Sequence, residues 1–239
     1  MLVEREAKMN SEKKEIQRAR MWRYFLDAAT EMIEQDGMDH VTIRKIADRA
    51  GFTSSTAYNY FKDLSHLKFF ASMRFTTDYI NDLPDYLSKG ENTIENWLYS
   101  WECFCKHSFE RPEIYEIIFM EDLGGSVDDL LEDYYKIYKE DLIGLPEEIK
   151  PIVLELNFSK RSSLYLKDAV EEGFILEEDV DLLADTTLMI WKGMMNTVLN
   201  RRRRYTKEEA VQKTLSFVYD YVRRVVVTDK QKEINYTIR

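Results

Sequence analysis

The sequence predicts an all-α protein with a substantial core, because two observations favour long helices over strands and a third favours the core. Its 239 residues include only eight glycines and four prolines, which is few for a fold with many turns. Apolar residues recur every three or four positions along most of the chain, as on one face of an α-helix. Hydrophobic residues make up 44% of the chain and aromatic residues 13%, which is enough for a substantial core.

The chain begins with a segment that is rich in charge. Residues 1–14 contain few apolar side chains, so they are predicted to be a flexible arm or the exposed start of a helix. Residues 15–35 follow a helical pattern that ends at Asp36-Gly37. Its apolar positions are Trp22, Phe25, Leu26, Ala29, Met32 and Ile33.

Two short helices around a tight turn are predicted between residues 42 and 62. Thr42 can cap the first helix by accepting a backbone N–H, and Gly51 can end it in the left-handed conformation. Thr53 can cap the second helix, which is expected to run to Phe61. The preceding helix would cover their apolar side and complete a three-helix core.

The second of these helices has an unusually polar outer face. Hydroxyls, an amide and a phenol suit the base edges and phosphates of DNA. A helical hairpin with a merely solvated surface is the alternative that these residues alone leave open. The outward residues are Ser54, Ser55, Thr56, Tyr58 and Asn59.

The rest of the chain continues the helical pattern. Asp63 can cap the next helix, and Pro84 and Gly90 are expected to lie in the connection after it. The tail from Thr228 is expected to be loosely held. The predicted helices are residues 63–81, 92–110, 113–122, 126–143, 147–172 with a kink near Pro151, 177–200 and 206–227.

The last two helices carry broad apolar stripes. A helix pair with more apolar surface than one buried face requires often packs against its own copy in a symmetric dimer. Burial inside a large monomer is the alternative. The predicted dimer interface comprises Leu183, Thr187, Ile190, Met194, Val198, Leu215, Val218 and Val222.

Aromatic residues are frequent in the helices expected to enclose a cavity. They favour an apolar or aromatic ligand, such as an acyl chain or a drug-like cation. Aromatic stripes at helical spacing also occur in plain cores, and this alternative stays open. The candidate ligand contacts are Trp97, Trp101, Phe104, Phe119, Phe158, Tyr165 and Trp191.

Charge is distributed unevenly along the chain. Residues 1–70 hold 12 Lys/Arg and 11 Asp/Glu, a net charge of +1, whereas residues 71–239 hold 22 and 33, a net charge of −11. An acidic domain repels DNA, so only the N-terminal part is expected to approach a nucleic acid.

The sequence contains no pattern typical of an enzyme or a metal site. There are three histidines, no nucleophile–base signature, no G-x-G-x-x-G and no Walker loop, so neither catalysis nor a cofactor is expected. Cys103 and His107 share a helix face, but two ligands without a third make no metal site. Two cysteines, no signal peptide and no long apolar run predict a cytoplasmic protein without a membrane span.

Residues 20–70 resemble the DNA-binding domain of the TetR family of bacterial transcription regulators. The remainder resembles the family only in its helical plan. The matching residues are Ala28-Ala29, Gly37, Thr42-Ile43, Ile46-Ala47, Ala50-Gly51, Thr56, Tyr58, Tyr60-Phe61-Lys62 and Leu67.

The resemblance implies an N-terminal helix-turn-helix DNA-binding domain, residues 1–70, and a C-terminal ligand-binding and dimerisation domain, residues 71–239. A homodimer would bind a palindromic double-stranded operator, most often as a repressor, and a small effector would release it. A helical interaction or adaptor module without specific DNA binding is the alternative.

The resemblance also assigns individual contacts within this domain. Two residues depart from the family pattern: Ser55 stands where glycine is common, and Leu64 stands where a lysine often anchors a phosphate. The implied DNA contacts are Ser54, Ser55, Thr56 and Asn59 in the major groove, Thr42, Tyr58, Tyr60 and Lys62 at phosphates, and Thr53 at the start of the recognition helix.

Overall fold

The structure is a computed structural model, and it describes residues 2–121, 127–138, 145–147, 150–155, 157–200 and 203–238. All regular secondary structure in these ranges is helical, and no strand occurs in them, which confirms the all-α prediction. The chain divides into two compact units. The N-terminal unit comprises Met1–Phe75 and Glu132–Lys139, and the C-terminal unit comprises Thr76–Leu131 and Glu140–Arg239.

The N-terminal unit is built on one long helix. This helix begins at residue 2 rather than 15, so residues 2–14 are its start and not an irregular arm. It packs against the second and the fourth helix. The helices are α1 (Leu2–Asp36), α2 (Ile43–Ala50), α3 (Ser54–Ala57) and α4 (Leu64–Met73).

Aromatic rings hold these helices together. The ring of Trp22 on α1 lies 4.4 Å from that of Phe70 on α4 and 5.0 Å from that of Phe61, measured between centroids. Phe25, one turn further along α1, lies 5.9 Å from Phe61. All four side chains are buried, so the apolar stripe predicted for α1 forms the core of this unit.

The C-terminal unit has α6 at its centre, where it packs against α5, α10 and α12. In the part of the chain that is described, no helix is both long and apolar enough to cross a membrane. The helices are α5 (Thr77–Leu87), α6 (Thr93–Glu110), α7 (Pro112–Phe119), α8 (Val127–Ile137, which belongs to the N-terminal unit from Glu132), α9 (Lys150–Leu154), α10 (Phe158–Glu171), α11 (Val180–Leu199) and α12 (Lys207–Val225).

Two predicted long helices are each divided in two. The helix predicted over residues 63–81 is interrupted by a 3₁₀ turn at Arg74–Thr76, and Thr76 and the following Thr77 are β-branched residues that disfavour helix. The helix predicted over residues 147–172 is α9 and α10, and the Asn157 side chain caps the second by accepting the backbone N–H of Lys160 at 3.2 Å.

The prediction that Pro84 lies in a connection between helices was also wrong. Pro84 lies inside α5, which continues to Leu87. The neighbouring Leu83 is fully buried, and the N–H of Ser88 donates to the Pro84 carbonyl at 3.1 Å. Burial of this helix face therefore outweighs the lost proline hydrogen bond.

The C-terminal tail is packed rather than loosely held, contrary to the prediction. The backbone N–H of Asn235 donates to the carboxylate of Glu95 on α6 at 2.6 Å. The buried ring of Tyr236 lies 5.0 Å from Tyr99 and 5.5 Å from Tyr219. These contacts fix the tail against α6 and α12.

Five residues predicted to form a dimer interface are instead buried inside this one chain. Their side chains have no exposed surface, because both helices turn their most regular stripe toward the core of the C-terminal unit. Met194 is also buried, whereas Ile190 and Val198 are half-buried. The five buried residues are Leu183, Thr187, Leu215, Val218 and Val222.

Candidate functional site

The turn between α2 and α3 has the geometry that its sequence predicts. Thr42 Oγ1 accepts the backbone N–H of Lys45 at 3.3 Å and begins α2. Gly51 ends α2 with φ of +80°, a conformation that costs glycine little. Thr53 Oγ1 then accepts the backbone N–H of Thr56 at 3.3 Å and begins α3. Both helix starts are thus fixed by threonine caps.

The segment from Thr53 to Phe61, called the recognition segment below, contains less regular helix than predicted. α3 ends at Ala57 rather than Phe61. The N–H of Asn59 donates to the Thr56 carbonyl at 3.2 Å and that of Tyr60 to Ala57 at 2.9 Å, which are the tighter bonds of a 3₁₀ turn. Asn59 and Tyr60 therefore lie in this turn and not on a helix.

The predicted DNA contacts differ in how much of each side chain is free. The hydroxyls of Thr53 and Thr56 are 3.0 Å apart and hydrogen-bond to each other, so both side chains are engaged in the cap of α3. Ser54 and Tyr60 are half-buried, and the Tyr60 ring lies 6.2 Å from that of Phe25. The exposed members of the set are Thr42, Thr53, Ser55, Tyr58, which is 57% exposed, Asn59 and Lys62.

His66 connects this surface to α4. Its Nδ1 accepts the backbone N–H of Lys62 at 3.1 Å, and its ring lies 4.8 Å from that of Phe70. Burial lowers the pKa of His66 below its usual value, although Asp63 opposes this in part. The neutral ring with an unprotonated Nδ1 is therefore the form that supports the end of the recognition segment.

Sequence reasoning missed Arg44 as a candidate phosphate contact. Arg44 is an exposed residue in the first turn of α2, two positions after the Thr42 cap. Helix N-termini and arginine side chains both favour phosphate. Its position beside a capping threonine was the available signal.

The C-terminal unit contains a cavity beside α6. Four of the seven predicted aromatic contacts line it: Trp97, Trp101, Phe104 and Tyr165. The other lining residues were not predicted, and they are Tyr79 on α5, Ser100 on α6 and Arg161 and Ser162 on α10. Arg161 occupies the same stripe as Tyr165, four residues away, and a charge on an apolar stripe was the signal to notice.

The remaining three predicted ligand contacts do not line this cavity. Phe119 and Trp191 pack behind Phe104, at 5.4 Å and 5.0 Å between ring centroids. Trp191 is buried and donates from Nε1 to the Ser108 hydroxyl at 3.0 Å, which places it in the core. The side chain of Phe158 lies outside the described residues.

The cysteines and the third histidine form neither a redox site nor a metal site within the described residues. Burial raises the pKa of Cys103 to about 12 and that of Cys105 well above its usual value, so both thiols stay protonated. His107 Nε2 pairs with Asp82 at 3.0 Å instead of Cys103. No group of three metal-ligating side chains occurs among the residues described.

Comparison with known proteins agrees with the geometry of the N-terminal unit. Residues 25–66 match the family model of bacterial regulatory proteins of the tetR family. Over this segment the chain is similar to the TetR family. The match covers α1 from Phe25 onward, α2, α3 and the start of α4, which confirms the resemblance for the helix-turn-helix domain.

Solved structures extend the TetR fold to nearly the whole chain. RolR, in complex with resorcinol, has a TM-score of 0.60 at 18% identity and covers 93% of this chain and 97% of its own. The TetR-family repressor FadR of Thermus thermophilus, in complex with lauroyl-CoA, has a TM-score of 0.56 at 12% identity and covers 84% and 92%.

A TetR-family regulator from Syntrophomonas wolfei, described as putative, has a TM-score of 0.54 at 18% identity and covers 85% and 95%. At these identities the likeness concerns the fold. No protein among the curated sequences matches this chain.

Proposed function

We propose that this protein is a homodimeric transcription regulator that binds a palindromic operator through α2 and α3 and acts as a repressor. The observation that carries this proposal is the exposed polar surface around Asn59, held on a threonine-capped TetR-type turn. Ser55 and Asn59 would contact base edges, and Thr42, Tyr58, Lys62 and Arg44 would contact phosphates. Such a regulator works in the cytoplasm and needs no catalysis.

The dimer interface that we propose uses the outer faces of α11 and α12. Three large apolar residues are exposed there: Leu182 and Met189 on α11, at 58% and 71%, and Phe217 on α12, at 54%. Gly193 leaves open space between Met189 and Thr197, so a second backbone can approach closely. These residues replace the buried ones of the sequence prediction.

The effector site that we propose is the cavity beside α6, and the effector is an apolar or aromatic molecule. Three of its walls are the rings of Trp97, Trp101 and Phe104. The complexes of RolR with resorcinol and of FadR with lauroyl-CoA support this choice, because both ligands combine an apolar body with polar groups. Tyr79 lines the cavity from α5, which directly follows the 3₁₀ turn after α4, so a ligand that moves Tyr79 would move this connection.

One paired measurement separates this function from the alternative of a helical adaptor module. We expect a gel shift with the DNA upstream of the protein's own gene that survives excess unrelated DNA, and light scattering should give twice the mass of one chain. An adaptor would bind no DNA sequence preferentially and would be monomeric. That pair of results would contradict the proposal.

A further inference from the structure

The cavity of the C-terminal unit contains a buried charge without an anionic partner among the described residues. Arg161 is only 5% exposed, and its Nε is shielded from solvent and donates no hydrogen bond. Within the described part of the chain, no carboxylate pairs with its guanidinium. A charge in this position weakens the fold unless something balances it.

The contact that Arg161 does make leaves its donors available. The guanidinium carbon lies 5.7 Å from the centroid of the Tyr79 ring. A cation stacked on an aromatic face is stabilised by the ring, but the N–H groups at the edge of the guanidinium gain no acceptor. Tyr79 therefore orients the guanidinium and leaves its hydrogen-bonding edge for another group.

The other polar groups of the lining cannot supply the missing negative charge. Burial raises the pKa of Tyr79 to about 12 and that of Tyr165 well above its usual value, so both phenols are neutral. The Ser100 hydroxyl donates to the Trp97 carbonyl at 2.7 Å. Among the residues that line the described cavity, Arg161 is the only charged one, and the lining has a net charge of +1.

We propose that this cavity takes an organic carboxylate with an aromatic or short apolar body, and that Arg161 binds the carboxylate group. The proposal rests on the proposed function, in which this cavity is the effector site. It excludes the drug-like cation expected from the aromatic residues alone, because a cation would meet a like charge. Planar guanidinium and carboxylate groups form two parallel hydrogen bonds, which discriminates an acid from an alcohol of the same shape.

The size of the cavity determines how such a ligand enters. The space between the lining side chains is about 20 Å³, which is the room of a single water molecule. An aromatic or acyl body therefore has to displace rings of the wall. Because Trp97 and Trp101 belong to that wall, their fluorescence reports the displacement.

The test uses the full-length protein and two matched sets of probes: benzoate, benzyl alcohol and benzylamine, and hexanoate, hexanol and hexylamine. Binding is measured by tryptophan fluorescence and by calorimetry. We expect at least one acid to bind more tightly than its alcohol and its amine, and Arg161→Met to weaken that acid roughly 30-fold or more. Lys167→Met, an exposed charge on the same helix, should leave binding unchanged. Failure of every acid, or equal binding by Arg161→Met, would overturn the proposal.

Thermal unfolding without any ligand provides a second readout. If Arg161 is kept for a ligand, Arg161→Met removes an unpaired buried charge and should unfold at the same temperature or higher. A lower unfolding temperature would assign Arg161 to the fold and overturn the proposal. Operator binding by the wild type is measured in parallel. If the wild type does not bind an operator, the proposed function is refuted. If it binds an operator but no acid, only the inference about the cavity is refuted.

Discussion

At the scale of single residues, His66 shows how the recognition segment depends on a protonation state. Its Nδ1 is an acceptor for the Lys62 N–H, and its ring packs among Trp22, Phe61 and Phe70. A proton on Nδ1 would remove the acceptor and place a charge against these rings. Burial favours the neutral form, which is why the pKa of His66 lies below its usual value.

The stability of the protein should therefore decrease in mild acid. The pKa of His66 is lower in the folded chain than in the unfolded chain, so the unfolded chain takes up the proton first as the pH falls through about 6.5. We expect the unfolding temperature to fall between about pH 7.5 and about pH 5.5. His66→Asn keeps an acceptor but does not titrate, and its unfolding temperature should fall less. Parallel curves for the two proteins would show that His66 is not responsible.

At the scale of elements, the α2–α3 turn depends on one glycine. Gly51 has φ of +80°, and nothing lies within 4 Å of the position that a Cβ atom would take. The obstacle to a side chain is thus the backbone conformation and not a lack of space.

Gly51→Ala should destabilise the protein by about 1–2 kcal/mol, the cost of an L-residue in the left-handed conformation. Gly51→Asn should lose clearly less free energy of unfolding, because asparagine tolerates that conformation. Chemical denaturation of both variants measures the difference. If the two variants lose the same free energy of unfolding, the left-handed conformation of Gly51 is not what disfavours a side chain at this position.

Local signals predicted α2 and the starts of the neighbouring helices, since caps, a terminating glycine and a single apolar face act within one turn. These local signals failed where contacts with distant parts of the chain determine the structure. The tail from Thr228 contains few apolar residues, and contacts with distant residues hold it in place, among them the buried Glu95 carboxylate and the rings around Tyr236.

The same limit applies to the two helices with broad apolar stripes, α11 and α12. Periodicity showed that both have an apolar face, but it could not show which part of a broad stripe faces the core. Likewise, the sequence alone suggests that Arg161 is a surface residue, and only the packing of α10 shows that it is buried. The cavity could be predicted in part because three of its aromatic residues, Trp97, Trp101 and Phe104, lie on one helix, α6.

At the scale of the whole molecule, the proposed function requires two copies of the chain. One recognition segment offers few base contacts and little positive charge, so a second half-site has to supply the affinity. Leu182, Met189 and Phe217 are the exposed apolar residues of α11 and α12 that a second copy would cover.

Placing charges on this surface should separate the copies. We expect the double variant Met189→Asp, Phe217→Asp to have the mass of one chain, 28.5 kDa, by light scattering. Its operator affinity should fall roughly 100-fold or more, because two linked contacts become one. Leu164→Asp alters a residue of α10 that is 48% exposed and should remain a dimer. A double variant that still has twice the mass of one chain would place the interface elsewhere.

The most direct test of the proposed DNA-binding function is a binding selection from randomised DNA with the wild type, Asn59→Ala and Tyr58→Phe. Asn59 carries the proposed base contact, so Asn59→Ala should lose about 1–3 kcal/mol of binding free energy and its preference at one base pair in each half-site. Tyr58→Phe removes a proposed phosphate contact and should weaken all sequences alike. A selected sequence that is identical for the wild type and Asn59→Ala would contradict the claim that this surface reads DNA.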